Sequence, residues 1–311
     1  RRAARGAIHP MPSAVPTPAQ RPATASHPRA GAPTLRADHE IVTVIRPPAP
    51  GFGIDFGELW QYRHLFAALV WRNVRVEFDA TRLGSLWAVA RPLLFTLVFV
   101  MFRGFSGANT HVELPYALYV FSGLVLWMYF LDAATSSAGA IRLDSALLTK
   151  VYYPRLLTPL VPVVAALVSI GIALVPLIAM MVWFGVRPGW PVLLLPLVLV
   201  QVMALAVGVG TIISSISIEN RDWERALAFG LSIGLWLSPV IYAPKMIPQP
   251  LDALYHLNPM VGILLAFRAT LFDGFPLPTW EWASSGVCTV IVLALGIWAF
   301  RRTEASLADR L

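Results

Sequence analysis

Residues 157–183 read Leu-Thr-Pro-Leu-Val-Pro-Val-Val-Ala-Ala-Leu-Val-Ser-Ile-Gly-Ile-Ala-Leu-Val-Pro-Leu-Ile-Ala-Met-Met-Val-Trp, without one charged side chain. An α-helix rises 1.5 Å per residue, so roughly 20 such residues cross a ~30 Å hydrocarbon layer. This run exceeds that length and shows none of the polar stripe that a water-facing helix needs. The whole chain agrees with its most apolar stretch. Of 311 residues, 57% are hydrophobic and only 13% charged. Soluble domains carry about 25% charged residues, and one of this size could not hide so much apolar surface. The expectation is an all-α membrane protein.

Apolar segments flank the run on both sides, at about 83–102 and 115–133 before it and at about 191–213, 226–243 and 283–300 after it. Six transmembrane helices result. Residues 244–282 are too long for a turn, and Pro259 to Phe272 is apolar but too short to span. A re-entrant external helical hairpin between spans five and six fits this piece. Ahead of span one, Leu59, Tyr62, Leu65, Phe66, Leu69 and Val70 recur at helical spacing beside Arg63, Arg72 and Arg75. That pattern predicts an amphipathic interface helix over 57–82, with Trp60 and Trp71 at headgroup level. Residues 1–50 hold ten prolines and no apolar core of a signal peptide. They read as a disordered, Pro/Ala-rich cytoplasmic tail. The remainder, 83–311, is read as one six-span domain.

Basic residues orient the spans. With the N-terminus inside, the inner segments carry twelve Lys and Arg, among them Arg63, Arg72, Arg75, Arg82, Arg142 and Lys150. The outer segments carry four, Arg103, Arg187, Lys245 and Arg268. Six spans then put both termini in the cytoplasm. The same excess accounts for the net charge of +7, so no nucleic-acid partner is implied.

Several chemistries lack their residues. Cys288 is the only cysteine, and the six histidines form no close pair, so no metal site is expected. The two lysines, Lys150 and Lys245, follow Thr149 and Pro244, which excludes a Gly-Lys-Ser/Thr phosphate loop. If ATP drives this protein, another chain binds it. The span centres are nearly bare of ionisable groups, which argues against a secondary carrier and against a membrane enzyme.

The exceptions are candidate sites. Arg91 lies inside span one, before Pro92, with no carboxylate expected at its depth. It either meets an anionic group or snorkels to the headgroups. Asp132 is placed near the inner end of span two. Aromatic side chains such as Trp87, Phe95 and Trp127 suit a lipid-interface belt or a sugar-conducting path. Ala226, Gly230, Gly234 and Ser238 recur every four residues, a face that lets helices approach closely within one subunit or across a dimer. The polar stretch 134–156 is expected to hold a short cytoplasmic helix with Arg142, Asp144 and Lys150, where a partner protein would dock.

Leu-Val-Trp-Arg-Asn-Val (69–74), Thr81, Leu83-Gly84, Trp87 and Pro92 together resemble the opening of permeases of type-2 ABC exporters. The resemblance is to the polysaccharide-export branch, which carries lipid-linked O-antigen, teichoic acid or galactan. Phe-Ser-Gly-Leu (121–124), Leu-Thr-Lys-Val-Tyr-Tyr-Pro-Arg (148–155), Arg221-Asp222, Ser-Pro-Val-Ile-Tyr (238–242), Asn-Pro-Met (258–260) and Phe300 to Asp309 extend it over about 59–311. The chain departs at Glu77-Phe78-Asp79, where that branch carries a basic-aromatic-basic group, and at Arg91, where it carries glutamine.

The resemblance implies a homodimer in the bacterial plasma membrane, bound to two ABC-type ATPase subunits that hold ATP and magnesium. It implies no enzyme activity and no cofactor in this chain. The cargo would be a polyprenyl-diphosphate-linked polysaccharide moving through a channel at the dimer interface. Residues 134–156 would be the coupling helix, the surface helix the gate region near the ATPase, and the 244–282 hairpin the external gate. As a lone cation in span one, Arg91 is the expected contact for the entering diphosphate; if it only snorkels, Arg72, Arg75 or Arg82 on the cytoplasmic approach takes that part. A permease for a drug or a small lipid is the nearest alternative, and a carrier of the same glycan without an ATPase is the alternative from another class.

Overall fold

A computed structural model describes residues 56–79, 84–106, 114–143, 153–217, 220–248 and 255–307. The described residues form helices and no strand. In chain order these are α1 (Phe56–Gln61), α2 (Arg63–Asp79), α3 (Leu86–Ser106), α4 (Tyr116–Leu143), α5 (Leu157–Ala165), α6 (Leu167–Trp183), α7 (Leu195–Ile216), α8 (Asp222–Gly234), α9 (Pro259–Leu271) and α10 (Thr279–Leu307). A 3-10 turn, Trp190–Leu194, leads into α7.

Among the described residues, five stretches are long and apolar enough to cross a membrane: Leu86–Ser106, Tyr116–Leu143, Leu157–Trp183, Trp190–Ile216 and Thr279–Thr303. The third is α5 and α6 end to end, interrupted at Ala166. Pro162 and Pro176 each remove one backbone N–H from this span. It ends in a Schellman cap: Val186 N–H bonds Met181 O, Gly185 N–H bonds Val182 O, and Gly185 takes the left-handed φ of 69° this requires.

Two boundaries differ from expectation. Span two does not stop near 133, because α4 continues to Leu143 and absorbs the first part of the expected cytoplasmic loop. Small residues allow this. Ala133, Ala134, Ser137, Ala138, Gly139 and Ala140 are all buried, and a Cβ on Gly210 of α7 would overlap Ser137. The expected span 226–243 is not one long helix either. It is the 13-residue α8 followed by turns to Val240. Pro239 has no N–H to continue the ladder, and Trp236, Leu237 and Ser238 donate three residues back instead of four. The interface helix is likewise two pieces, parted at Tyr62.

Helix α4 is the axis of the molecule. Of its most apolar window 78% is buried, against 11% for α3. Helices α3, α5, α6, α7 and α8 all pack on it. Helix α10 lies against α7 at close range, since a Cβ on Gly208 would sit 2.8 Å from Leu293 N. Helix α9 starts with Asn258 capping Met260 N–H at 3.0 Å and Pro259 in its first turn. From Met260 to Leu271 every residue of α9 is buried, between α10, α7, α4 and the 190–194 turn.

Candidate transport site

Three polar assemblies stand out from this apolar frame. The first lines a cavity of about 350 Å³ among α2, α3, α4 and the α5–α6 junction. Arg91 Nη1 donates to both carboxylate oxygens of Asp132, each at 3.0 Å. Arg91 therefore has a carboxylate at its own depth, contrary to the expectation. The extra turns of α4 explain this, since they carry Asp132 well inside the helix instead of at its end. Glu77 of α2 reaches the same cavity and accepts a bond from Ser169 Oγ at 3.3 Å. Desolvation holds the Glu77 carboxyl above the ordinary carboxylate range; the Ser169 bond lowers it, nearby Asp132 raises it and Arg91 lowers it. Trp87 lines this cavity too.

The second assembly is an ion pair between Arg142 at the end of α4 and Glu224 in the first turn of α8. Its side chains are 35% and 22% exposed, so the pair is partly shielded from screening. Arg142 thus ties two helices together and is no part of a separate cytoplasmic helix. Asp144, Lys150 and Arg82 lie outside the described residues.

The third assembly repairs the break in the chain after α8. Turns at membrane depth leave carbonyls without helix partners, which is tolerated only where protein covers them. Here side chains meet them one by one. Tyr242 Oη donates to Trp236 O at 3.0 Å, and Asn258 Nδ2 to Leu237 O at 3.4 Å as well as to the Ser238 hydroxyl at 2.9 Å. Arg268, fully buried in α9, donates to Pro239 O at 2.5 Å, and to Val240 O and Tyr119 O at 3.1 Å each. Its guanidinium lies 3.5 Å from the centre of the Tyr119 ring, a cation–π contact. Arg268 is one of the four basic residues assigned to the outer segments, and its complete burial is a feature the charge count does not reveal. The available signal was an arginine with Leu-Leu-Ala-Phe before it and Ala-Thr-Leu-Phe after it.

The remaining candidates separate. Arg72 and Arg75 are exposed on α2, with Arg75 5.7 Å from the Trp71 ring centre. Phe95 is exposed on α3, 6.4 Å from Phe99. Trp127 is buried against Phe130 and Gly234, away from any open surface. The small-residue face of α8 divides: Gly234 meets Trp127 and Ser238 is buried, whereas Ala226 is exposed and Gly230 has open space beside it.

Known proteins align with most of this frame. The chain is 24% identical over 251 residues to an O-antigen export system permease protein RfbA of Klebsiella pneumoniae, covering 79% of this chain and 94% of the relative. It is 28% identical over 218 residues to an O-antigen export system permease protein RfbA of Myxococcus xanthus, covering 70% and 83%. It is 23% identical over 245 residues to the polysialic acid transport protein KpsM of Escherichia coli, covering 77% and 93%. The family model of the ABC-2 type transporter matches residues 64–272, from α2 through α9. The chain belongs to the ABC-2 type transporter family.

Proposed function

We propose that this chain is the membrane-spanning subunit of an ATP-driven exporter that moves a polyprenyl-diphosphate-linked polysaccharide out of the cytoplasm. The observation that carries the polysaccharide reading is the set of relatives named for O-antigen and polysialic acid export, aligned over nearly their full lengths. In this reading two copies of the chain assemble with two ATPase subunits, and ATP with magnesium binds there. The sixth crossing is the segment 222–240. Thirteen residues of α-helix and six of tighter turns reach roughly 30 Å. Both termini are then cytoplasmic in the plasma membrane.

The diphosphate approaches along α2. Arg72 and Arg75 present guanidinium forks there, which pair well with phosphate oxygens, and Arg82 continues the line. Arg91 is a weaker candidate for that contact, because Asp132 already neutralises it. Force from the ATPase enters at Asp144 and Lys150 and passes through the Arg142–Glu224 pair to α4 and α8.

The experiment is depletion of this chain in its host, followed by extraction of lipid-linked glycans. Accumulation of a polyprenyl-diphosphate-linked polymer on the cytoplasmic side is expected. An unchanged lipid-linked glycan pool overturns the proposal.

A further inference from the structure

The cavity beside Arg91 has a chemistry that export of a diphosphate does not require. Two carboxylates, Glu77 and Asp132, face one guanidinium across it. A diphosphate would bring further negative charge into a group already negative by one, which is unfavourable at low dielectric. The guanidinium nonetheless has donors to spare: both bonds to Asp132 come from Nη1, and Nη2 and Nε are engaged by no other described group. Glu77 meets Ser169 through Oε1 alone. The site thus offers donors for one anionic oxygen and acceptors for one cation, side by side. Its other walls are apolar, including Phe78, Pro92, Val125, Met128 and Ile170. A volume of about 350 Å³ is within the ~300–1,000 Å³ of small-molecule sites.

Two positional facts narrow the ligand. Arg91 is five residues past the start of α3 at Leu86, roughly 7.5 Å along the helix, so its long side chain can reach back to the headgroup layer. Leu94, Phe95 and Val98 follow Arg91 at three, four and seven residues, so they continue its face of the helix toward the bilayer centre. All three are exposed. A headgroup in the cavity would therefore have an apolar track along which its acyl chains could lie.

We infer that this cavity binds the headgroup of one zwitterionic, primary-amine phospholipid, of the phosphatidylethanolamine type, from the cytoplasmic leaflet. Its phosphate takes the unused edge of Arg91, and its ammonium donates to Glu77 and Asp132. A choline headgroup has no N–H to donate, and a glycerol headgroup has no cation. This site adjoins the proposed export path on α2, to which its Glu77 and Phe78 also belong.

The test uses the full-length chain, delipidated in detergent and titrated with dioleoyl phosphatidylethanolamine, phosphatidylcholine or phosphatidylglycerol in mixed micelles. Native mass spectrometry counts bound lipid. Phosphatidylethanolamine is expected to bind at one per chain, about tenfold tighter than either of the others, a ratio typical of one charge-assisted hydrogen bond. Glu77→Gln, and the double variant Arg91→Gln/Asp132→Asn, should each bring the three lipids to within about twofold. Glu77 is on the exposed side of α2 and makes one long hydrogen bond, so Glu77→Gln decides the matter should the double variant fail to fold. Equal binding of the three lipids by the wild-type chain overturns the inference, as does an undiminished preference in Glu77→Gln. Competition by soluble phosphoethanolamine as strong as that of the lipid overturns the lipid as its source.

Discussion

The Arg268 guanidinium is solvated by oxygens that carry no formal charge: three backbone carbonyls and, at 3.5 Å, the Ser122 hydroxyl. Removing it leaves the Pro239 and Val240 carbonyls in an apolar core with fewer donors. Each such loss costs about 1–3 kcal/mol. Arg268→Met should therefore lower the melting temperature in detergent by roughly 6–12 °C, taking about 3 kcal/mol and the usual entropy of a chain this size. Arg268→Lys keeps the charge but reaches fewer carbonyls, and should recover less than half of the loss. A thermal unfolding series on the three proteins checks both. The sequence shows such residues without their partners. Arg91 stood out because it interrupts an apolar run, yet Asp132 is 41 positions away. Their shared depth depends on how far α4 extends, which a hydropathy pattern does not fix. Arg268 is hidden for the opposite reason: its short apolar piece reads as a re-entrant hairpin, and the carbonyls it serves lie in a break of the chain after α8 that no hydropathy pattern marks.

Five of the six expected spans are long apolar helices among the described residues, legible because a long apolar run has only one stable form in lipid, whereas their ends depend on packing. Residues 133–140 look too polar and small to belong to a span. They become one because those small side chains let α4 and α7 approach closely. The break after α8 hinges on Pro239, whose effect on a hydrophobic run is invisible to a hydropathy average. Two predictions belong to these elements. Reversing Arg142 or Glu224 alone should weaken coupling between ATP hydrolysis and export, and the double swap Arg142→Glu/Glu224→Arg should restore it. A transport-to-hydrolysis ratio measures this, with a coupling of about 0.5–3 kcal/mol expected for partners in contact. Helix α8 carries the other. Gly230 has open space around it within one chain, and an alanine there improves helix propensity by up to ~1 kcal/mol. Gly230→Leu should leave the single chain as stable as wild type and lower the dimer fraction seen by cross-linking.

Seen whole, the molecule is a frame of the ABC-2 transporter family whose sequence holds no Gly-Lys-Ser/Thr phosphate loop. Lys150 and Lys245 both lack the preceding glycine of a phosphate loop. The purified chain should hydrolyse no ATP above background, and a tagged copy should bring an ATPase with it from membranes; hydrolysis by the chain alone would refute the exporter reading. Export should stop when Asp144 and Lys150 are both reversed in charge, with insertion intact. The cradle of Arg268 also imposes an order on synthesis. An arginine buried in an apolar core without partners is costly, and the partners of Arg268 at 119, 122, 239 and 240 all precede it in the chain. When codon 268 is read, every one of these partners has already been translated, so the charge never waits for a partner still to be made. A circular permutant that placed 259–271 ahead of α4 would present the cation before its receptacle existed, and the nascent chain would stall in quality control instead of maturing.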